Sequence, residues 1–312
     1  LEEYRSGLIN DLVKTTASNR TPFKDMQNNS YILTVSCRDV RGIVAAVAGF
    51  ISSLDGFIIE ASQFGDPVTE QFFQRIYFSA GAATPAYEEI KKRFADEVGI
   101  PFAMNFHLHD MSKKAQTLLM VSKFDHCLND LLHRHQVGSL PMDIPAVVSN
   151  HEDCRALVEW HNIPFYYFPL ISADKKSEQE AKTWDIVQKH KIELVVLARY
   201  MQVLSADLCT KLAGKAINIH HSFLPSFKGA RPYHQAHARG VKLIGATAHY
   251  VTDDLDEGPI IEQEVISVDH THSPEDFVAV GRDIESRVLA RAVKYHIEHR
   301  VLLNGTRTVV FK

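Results

Sequence analysis

The sequence predicts an α/β protein of two unlike halves: a ferredoxin-like βαββαβ unit, then a Rossmann-like unit with a mostly parallel sheet. Three observations carry this. Between Tyr31 and Leu108, apolar residues fall into six segments whose periods follow the order β-α-β-β-α-β. From Ala115 onward, short apolar runs alternate with helical patterns, as in a parallel sheet covered on both faces. Between the two lies Asp-Met-Ser-Lys-Lys, residues 110–114, a polar break that reads as a linker. The expected divisions are a tail over 1–29, a first domain over 30–110, a linker over 111–115 and a second domain over 116–312.

Residues 1–29 are polar without strong periodicity and read as a tail or peripheral helix. Residues 31–35 are a β-rich run. Ile43, Val44, Val47, Phe50, Ile51 and Leu54 recur at helical spacing, so 42–54 is a helix. Strands follow at 57–59 and 72–78, a helix at 87–98 and a strand at 102–108. In the second half the expected strands are 115–121, 146–149, 165–168, 194–197, 216–220, 244–251 and 260–268. Leu194-Val195-Val196-Leu197-Ala198 is continuously apolar, as a central parallel strand requires. Helices are expected at 126–135, 155–160, 176–190, 205–212 with Ser205 as N-cap, 231–239, and a long closing one at 274–299. No internal repeat or low-complexity segment is present.

A length of 312 residues, 45% hydrophobic and 23% charged, describes an ordinary globular chain able to bury a core. The formal net charge of −4 offers no basic excess to neutralise phosphates, which argues against a nucleic-acid partner. Cys37, Cys127, Cys154 and Cys209 are widely spaced and form neither a disulfide framework nor a zinc knuckle. Reduced thiols in a cytoplasmic protein are the simplest reading. No apolar run reaches membrane-span length, no membrane partner is expected and no signal peptide is visible. The chain opens on Leu1 rather than Met, which is compatible with a truncated or processed start.

The chemistry concentrates in Asn218-Ile219-His220-His221-Ser222-Phe223-Leu224-Pro225, followed by Asp256-Glu257-Gly258-Pro259. Asn218 and His220 are two apart on a strand, so their side chains share a face near its end. Ligands of open α/β sheets bind at such ends. An amide and a ring N–H suit a developing oxyanion, while a carboxylate held by a Gly-Pro turn orients water and relays protons. An isolated Asn-x-His is more often structural, but the whole string is hard to explain by packing. Metal binding is the rival: His220, His221, His234, His237, His249, His270 and His272 crowd the last third, yet no His-Glu-x-x-His or Cys-pair spacing accompanies them. No metal or cofactor is therefore expected. A Gly-x-Ser-x-Gly elbow is absent too.

At these residues the chain resembles the folate-dependent formyltransferase fold. Shared with it are Asn-Ile-His, Leu-Pro-Ser-Phe, and the run from His249 through Thr252, Asp253 and Asp256 to Gly258-Pro259-Ile260-Ile261. Cys37-Arg38-Asp39-Val40-Arg41-Gly42-Ile43-Val44 and Phe72-Phe73-Gln74-Arg75 resemble an ACT domain. That pairing is similar to the layout of the formyltetrahydrofolate deformylases, as are the His220-His221-Ser222 string and Gly229-Ala230-Arg231-Pro232-Tyr233-His234. The resemblance implies hydrolysis of 10-formyltetrahydrofolate to formate and tetrahydrofolate, supplying formate for purine synthesis and balancing the one-carbon folate pool. It puts the catalytic set at Asn218, His220 and Asp256. Folate contacts are implied at Arg199, Met201, Gln202, Val203, Leu204, His249, Thr252 and Asp253; the family often has a basic residue where Gln202 stands. An amino-acid effector is implied at Asp39, Arg41, Gly42 and Ile43, and side-by-side ACT pairing implies a homo-oligomer. The alternative is formyl transfer to glycinamide ribonucleotide. That reaction calls for a glycine-rich phosphate loop after the first strand of the second domain. Here Ser122-Lys123-Phe124-Asp125-His126 stands in that position, with no glycine.

Overall fold

The computed structural model describes residues 29–169, 175–225 and 232–312. The expected tail before Asn29, and the stretch 226–231 with Gly229, Ala230 and Arg231, lie outside the described residues. The chain divides after Lys113 into two compact units.

The first unit runs β1 (Ser30–Arg38), α1 (Ile43–Ser53), β2 (Phe57–Asp66), β3 (Gln71–Ser79), α2 (Tyr87–Phe94) with a wide turn Ala95–Gly99, and β4 (Asn105–Asp110). Its antiparallel sheet has the order β2-β3-β1-β4, consistent with an ACT-like domain. Val47, Phe50 and Ile51 of α1 join Ile90 and Phe94 of α2 in a core against Leu33, Val35 and Ile76 of the sheet. Strand β1 runs to Arg38 rather than 35, and two further expectations fall short. Strand β2 extends well past residue 59, because an edge strand half open to water stays paired through polar residues such as Ser62 and Gln63. Strand β4 begins at Asn105 rather than 102, because Ile100 to Ala103 close a turn with Ala103 in the left-handed region.

The second unit runs β5 (Ala115–Val121), α3 (His126–Gln136), β6 (Met142–Ser149), α4 (Arg155–Trp160), β7 (Phe165–Tyr167), α5 (Lys176–Lys189), β8 (Leu194–Leu197), α6 (Ala206–Lys211), β9 (Ala216–His220), α7 (Pro232–Ala238), β10 (Leu243–Tyr250), β11 (Ile260–Ser267) and α8 (Pro274–Ile297). The sheet order is β11-β10-β9-β8-β5-β6-β7. Strands β5 to β9 are parallel, and β10 and β11 run antiparallel to their neighbours. Alternate side chains feed two cores on opposite faces: Leu119 and Val121 enter one, Leu118 and Met120 the other. The strand order reverses between β5 and β8. The crevice beyond their carboxyl ends is the ligand position of such sheets, and the loops after β5, β8 and β9 open there.

Helix α8 starts with a capping box. The Ser273 hydroxyl accepts from the Asp276 N–H, and the Asp276 carboxylate accepts from the Ser273 N–H at 2.8 Å. A hairpin that the sequence reading left out closes the chain: β12 (Val301–Asn304) and β13 (Arg307–Val310). Its signal was the Asn304-Gly305 pair, with Gly305 in the left-handed conformation at the turn.

Candidate active site

Ile217 and Ile219 of strand β9 point into one core. Asn218 and His220 therefore face one way, and both line a cavity of about 230 Å3. Strand β10 runs beside β9 with His249 directly opposite Asn218, so the register brings a third polar group to the same wall. The fourth arrives from the loop after β10. Asp256 sits there with φ 59°, a conformation few non-glycine residues adopt without support. The support is the following turn. Gly258 packs where any Cβ would collide with the Tyr250 carbonyl oxygen, and the Tyr250 N–H donates to the Pro259 carbonyl at 2.9 Å.

The four groups form two hydrogen-bonded pairs that meet at Asp256. His220 Nδ1 lies 3.1 Å from Asp256 Oδ1, and its Nε2 lies 2.9 Å from Ser222 Oγ. His249 Nδ1 donates to the Tyr250 carbonyl at 2.9 Å, which leaves Nε2 to accept from the Asn218 amide at 3.2 Å. Asp256 Oδ1 is also 3.7 Å from His249 Nε2. Burial works against the Asp256 charge. The hydrogen bond from His220, the foremost opposing cause, outweighs it and holds the carboxyl well below the usual carboxylate range. The group is ionised throughout the working range and is an acceptor only. The sequence reading expected a ring N–H of His220 open toward a carbonyl oxygen. Both ring nitrogens instead have protein partners. The open donor is the second hydrogen of the Asn218 amide, whose other hydrogen goes to His249.

Every folate contact expected from the sequence lines this cavity: Arg199, Met201, Gln202, Val203 and Leu204 from the loop after β8, and His249, Thr252 and Asp253 from β10 and the loop beyond it. Tyr200, Cys209, Val251 and Leu255 line it too and add apolar wall. His221, also on the wall, entered the sequence reading as part of a motif and of the rival metal-binding group, not as a cavity residue. Burial first, then the neighbouring charges of Arg199 and His220, push its imidazole down to about 4, so it is neutral.

A polar network behind the wall had no sequence signal. Glu285, on α8 and 1% exposed, lies 3.3 Å from Arg199 Nε and 2.8 Å from His126 Nε2, and accepts from the Tyr233 hydroxyl at 2.7 Å. It holds Arg199, itself at φ 63°, where the 199–204 loop begins. Ser122, after β5, donates its hydroxyl to Asn150 Oδ1 at 2.7 Å and accepts the Met201 N–H at 2.9 Å. Phe124 carries the Arg199 and Arg282 guanidiniums 5.8 and 5.2 Å from its ring centre. Among the described residues, one grouping has metal-ligand spacing, His126, Cys127 and Glu285. These three do not line the cavity. Arg199 already neutralises Glu285, and burial pushes the Cys127 thiol well up, so the donor set suits a cation poorly. In the first unit, Asp39, Gly42 and Ile43 line a separate pocket with Gln63 and Phe64; Arg41 is not on its wall.

The formyl transferase family model matches residues 115–293. A formyltetrahydrofolate deformylase of Corynebacterium sp. (strain P-1) is 50% identical over 282 residues, covering 90% of this chain and 98% of that protein. The Bacillus subtilis (strain 168) formyltetrahydrofolate deformylase is 44% identical over 290 residues, 93% of this chain and 96% of its own. The crystal structure of the Burkholderia mallei formyltetrahydrofolate deformylase superposes with a TM-score of 0.86 at 52% identity, over 91% of this chain and all of that one. Glycinamide ribonucleotide transformylase 1 from Symbiobacterium toebii is more distant: TM-score 0.59, 26% identity, 64% of this chain and 95% of that one.

Proposed function

The chain belongs to the formyltetrahydrofolate deformylase family, and from that premise we infer that it hydrolyses 10-formyltetrahydrofolate to formate and tetrahydrofolate at the Asn218–His220–Asp256 set. The observation that carries this reading is the meeting of all three side chains on one cavity wall, with Asp256 Oδ1 3.1 Å from His220. The pterin occupies the apolar wall between the 199–204 loop and residues 249–253. The formyl oxygen lies against the open Asn218 amide hydrogen and beside the His220 ring. Ionised Asp256 accepts a hydrogen bond from the attacking water. As the tetrahedral intermediate forms, its oxyanion is met by the amide donor and the His220 charge. Asp256 takes the proton lost by water and delivers it to the folate nitrogen as the C–N bond breaks, while His220 holds the carboxylate in place.

Water rather than an amine is the acceptor in this reading. A ribonucleotide phosphate needs donors after β5, and the Ser122 hydroxyl there is already committed to Asn150 and Met201. The reaction uses no metal, since side chains supply both the oxyanion donor and the proton path. Four free, buried cysteines support a reducing, cytoplasmic setting. The Asp39–Gly42–Ile43 pocket takes a small amino-acid effector, and copies pair through the first unit. Calorimetry with amino acids tests the effector, and sedimentation at micromolar concentration tests the pairing.

The deciding experiment mixes the protein with 10-formyltetrahydrofolate in chelator-containing buffer without an amine acceptor. Equal release of formate and tetrahydrofolate is expected. Release only on adding glycinamide ribonucleotide would establish a transferase instead.

A further inference from the structure

We propose that Ser222 is a positioning residue for the hydrolysis: its hydroxyl is the second partner of the His220 ring and lets that ring hold or release a proton without losing a hydrogen bond. The proposal rests on the deformylase reading for its kinetics but on geometry for its structure. His220 and Ser222 are each 6% exposed, so a lost hydrogen bond between them is costly. Asp256, an acceptor only, requires a proton on His220 Nδ1. In the neutral ring, Nε2 is then a bare lone pair, and the Ser222 O–H donates to it across 2.9 Å. In the imidazolium, Nε2–H donates and the same oxygen accepts. A hydroxyl serves both states by turning about its C–O bond; an amide or methyl group serves at most one.

The loop carrying Ser222 is built to hold that position. The Thr247 hydroxyl donates to the Ser222 carbonyl at 2.9 Å and accepts the Leu224 N–H at 3.1 Å. Gln263 Nε2 donates to both Thr247 Oγ1 and the Leu224 carbonyl, at 2.9 and 3.0 Å. Asp256, His220 and Ser222 have the connectivity of a nucleophilic serine set, but Ser222 is not on the cavity wall. Its hydroxyl therefore serves the histidine and does not attack the substrate. The other titratable or charged groups around the ring are His249 beyond Asp256, His221 at 5.0 Å between ring centres, and Arg199 and Glu285 behind His221.

The test compares Ser222→Ala and Ser222→Thr with the parent enzyme. The alanine variant should lose about ten-fold or more in kcat, the scale of one hydrogen bond to a charged group, with KM little changed. Its pH profile should lose the alkaline limb at lower pH, because the charged ring loses its acceptor, and threonine should restore both. An unchanged kcat and profile, or a kcat loss with the profile unmoved, would overturn the proposal. So would a formyl adduct on Ser222 seen by mass spectrometry. Nitrogen NMR of histidine-labelled parent protein without substrate gives an independent answer. The neutral His220 ring should carry its proton on Nδ1, and an Nε2-protonated tautomer refutes the assignment. If the parent released no formate, the enzymatic reading would fail while the tautomer still decided the role of Ser222.

Discussion

An oxyanion forms faster than a flexible side chain can be recruited, so its donor has to be in place beforehand. Asn218 meets that need because its amide is tied by one hydrogen to His249, which is itself tied to the Tyr250 carbonyl. Asn218→Ala should lower kcat about a hundred-fold or more, the scale of one oxyanion donor, and steady-state kinetics would show it as a kcat effect exceeding any change in KM. Gly258 is held to its identity by space rather than chemistry, since a Cβ there collides with the Tyr250 carbonyl. Gly258→Ala should cost about 1–3 kcal/mol by denaturant titration. It should also cut turnover, because the displaced turn is the one that points Asp256 at His220.

Elements matter here through register and termini. The antiparallel addition of β10 beside β9 sets His249 opposite Asn218, and a one-residue slip would put His249 on the far face. Asn218, His220 and the Gly-Pro turn were legible in the sequence, because period-2 alternation and turn chemistry are local. The His249–Asn218 hydrogen bond was not, because pairing register is a property of two strands. The closing hairpin Val301–Val310 was readable from Asn304-Gly305 but was hidden behind the much longer apolar pattern of α8. That helix depends on its first turn, where Ser273 and Asp276 satisfy each other's N–H groups. Ser273→Ala should destabilise the protein by about 1 kcal/mol, read as a lower denaturant midpoint at unchanged slope.

At the scale of the whole molecule, buried neutral histidines link folding to pH. His221 and His296 are each pushed down to about 4 from 6.5, burial being the largest cause for both. Below pH 6.5 the unfolded chain takes up protons that the folded one refuses. Stability therefore falls as pH drops from 6.5 to 4, by at most roughly 3 kcal/mol per group, and these groups add no further loss below that window. Asp256 acts in the same direction at more acid pH: its depressed value contributes stability above the unfolded carboxyl range that is lost on further acidification. Thermal melting between pH 7 and 4 should show a steadily falling Tm. His296→Gln should lower Tm at pH 7 but flatten the slope.

The sequence by itself determined the two-part α/β plan and the strand carrying Asn218 and His220. It also marked the loop carrying Asp256 and the 199–204 segment that lines the cavity. The plan, the strand and the Asp256 loop depend on periodicity, turn residues and short motifs, which act over a few neighbouring residues; the 199–204 segment was marked only through the family resemblance. Only the tertiary structure decided which groups partner which. Glu285 sits mid-helix, 86 residues from the Arg199 it neutralises, and nothing local marks it as more than one acidic residue among many. Ser122 stands where a phosphate loop would begin, and only the fold shows that Asn150 and Met201 engage its hydroxyl. Ser222 reads as a loop residue until β9 turns and brings it to the His220 ring. A buried polar atom takes its role from the partner it finds, and folding brings that partner from elsewhere in the chain.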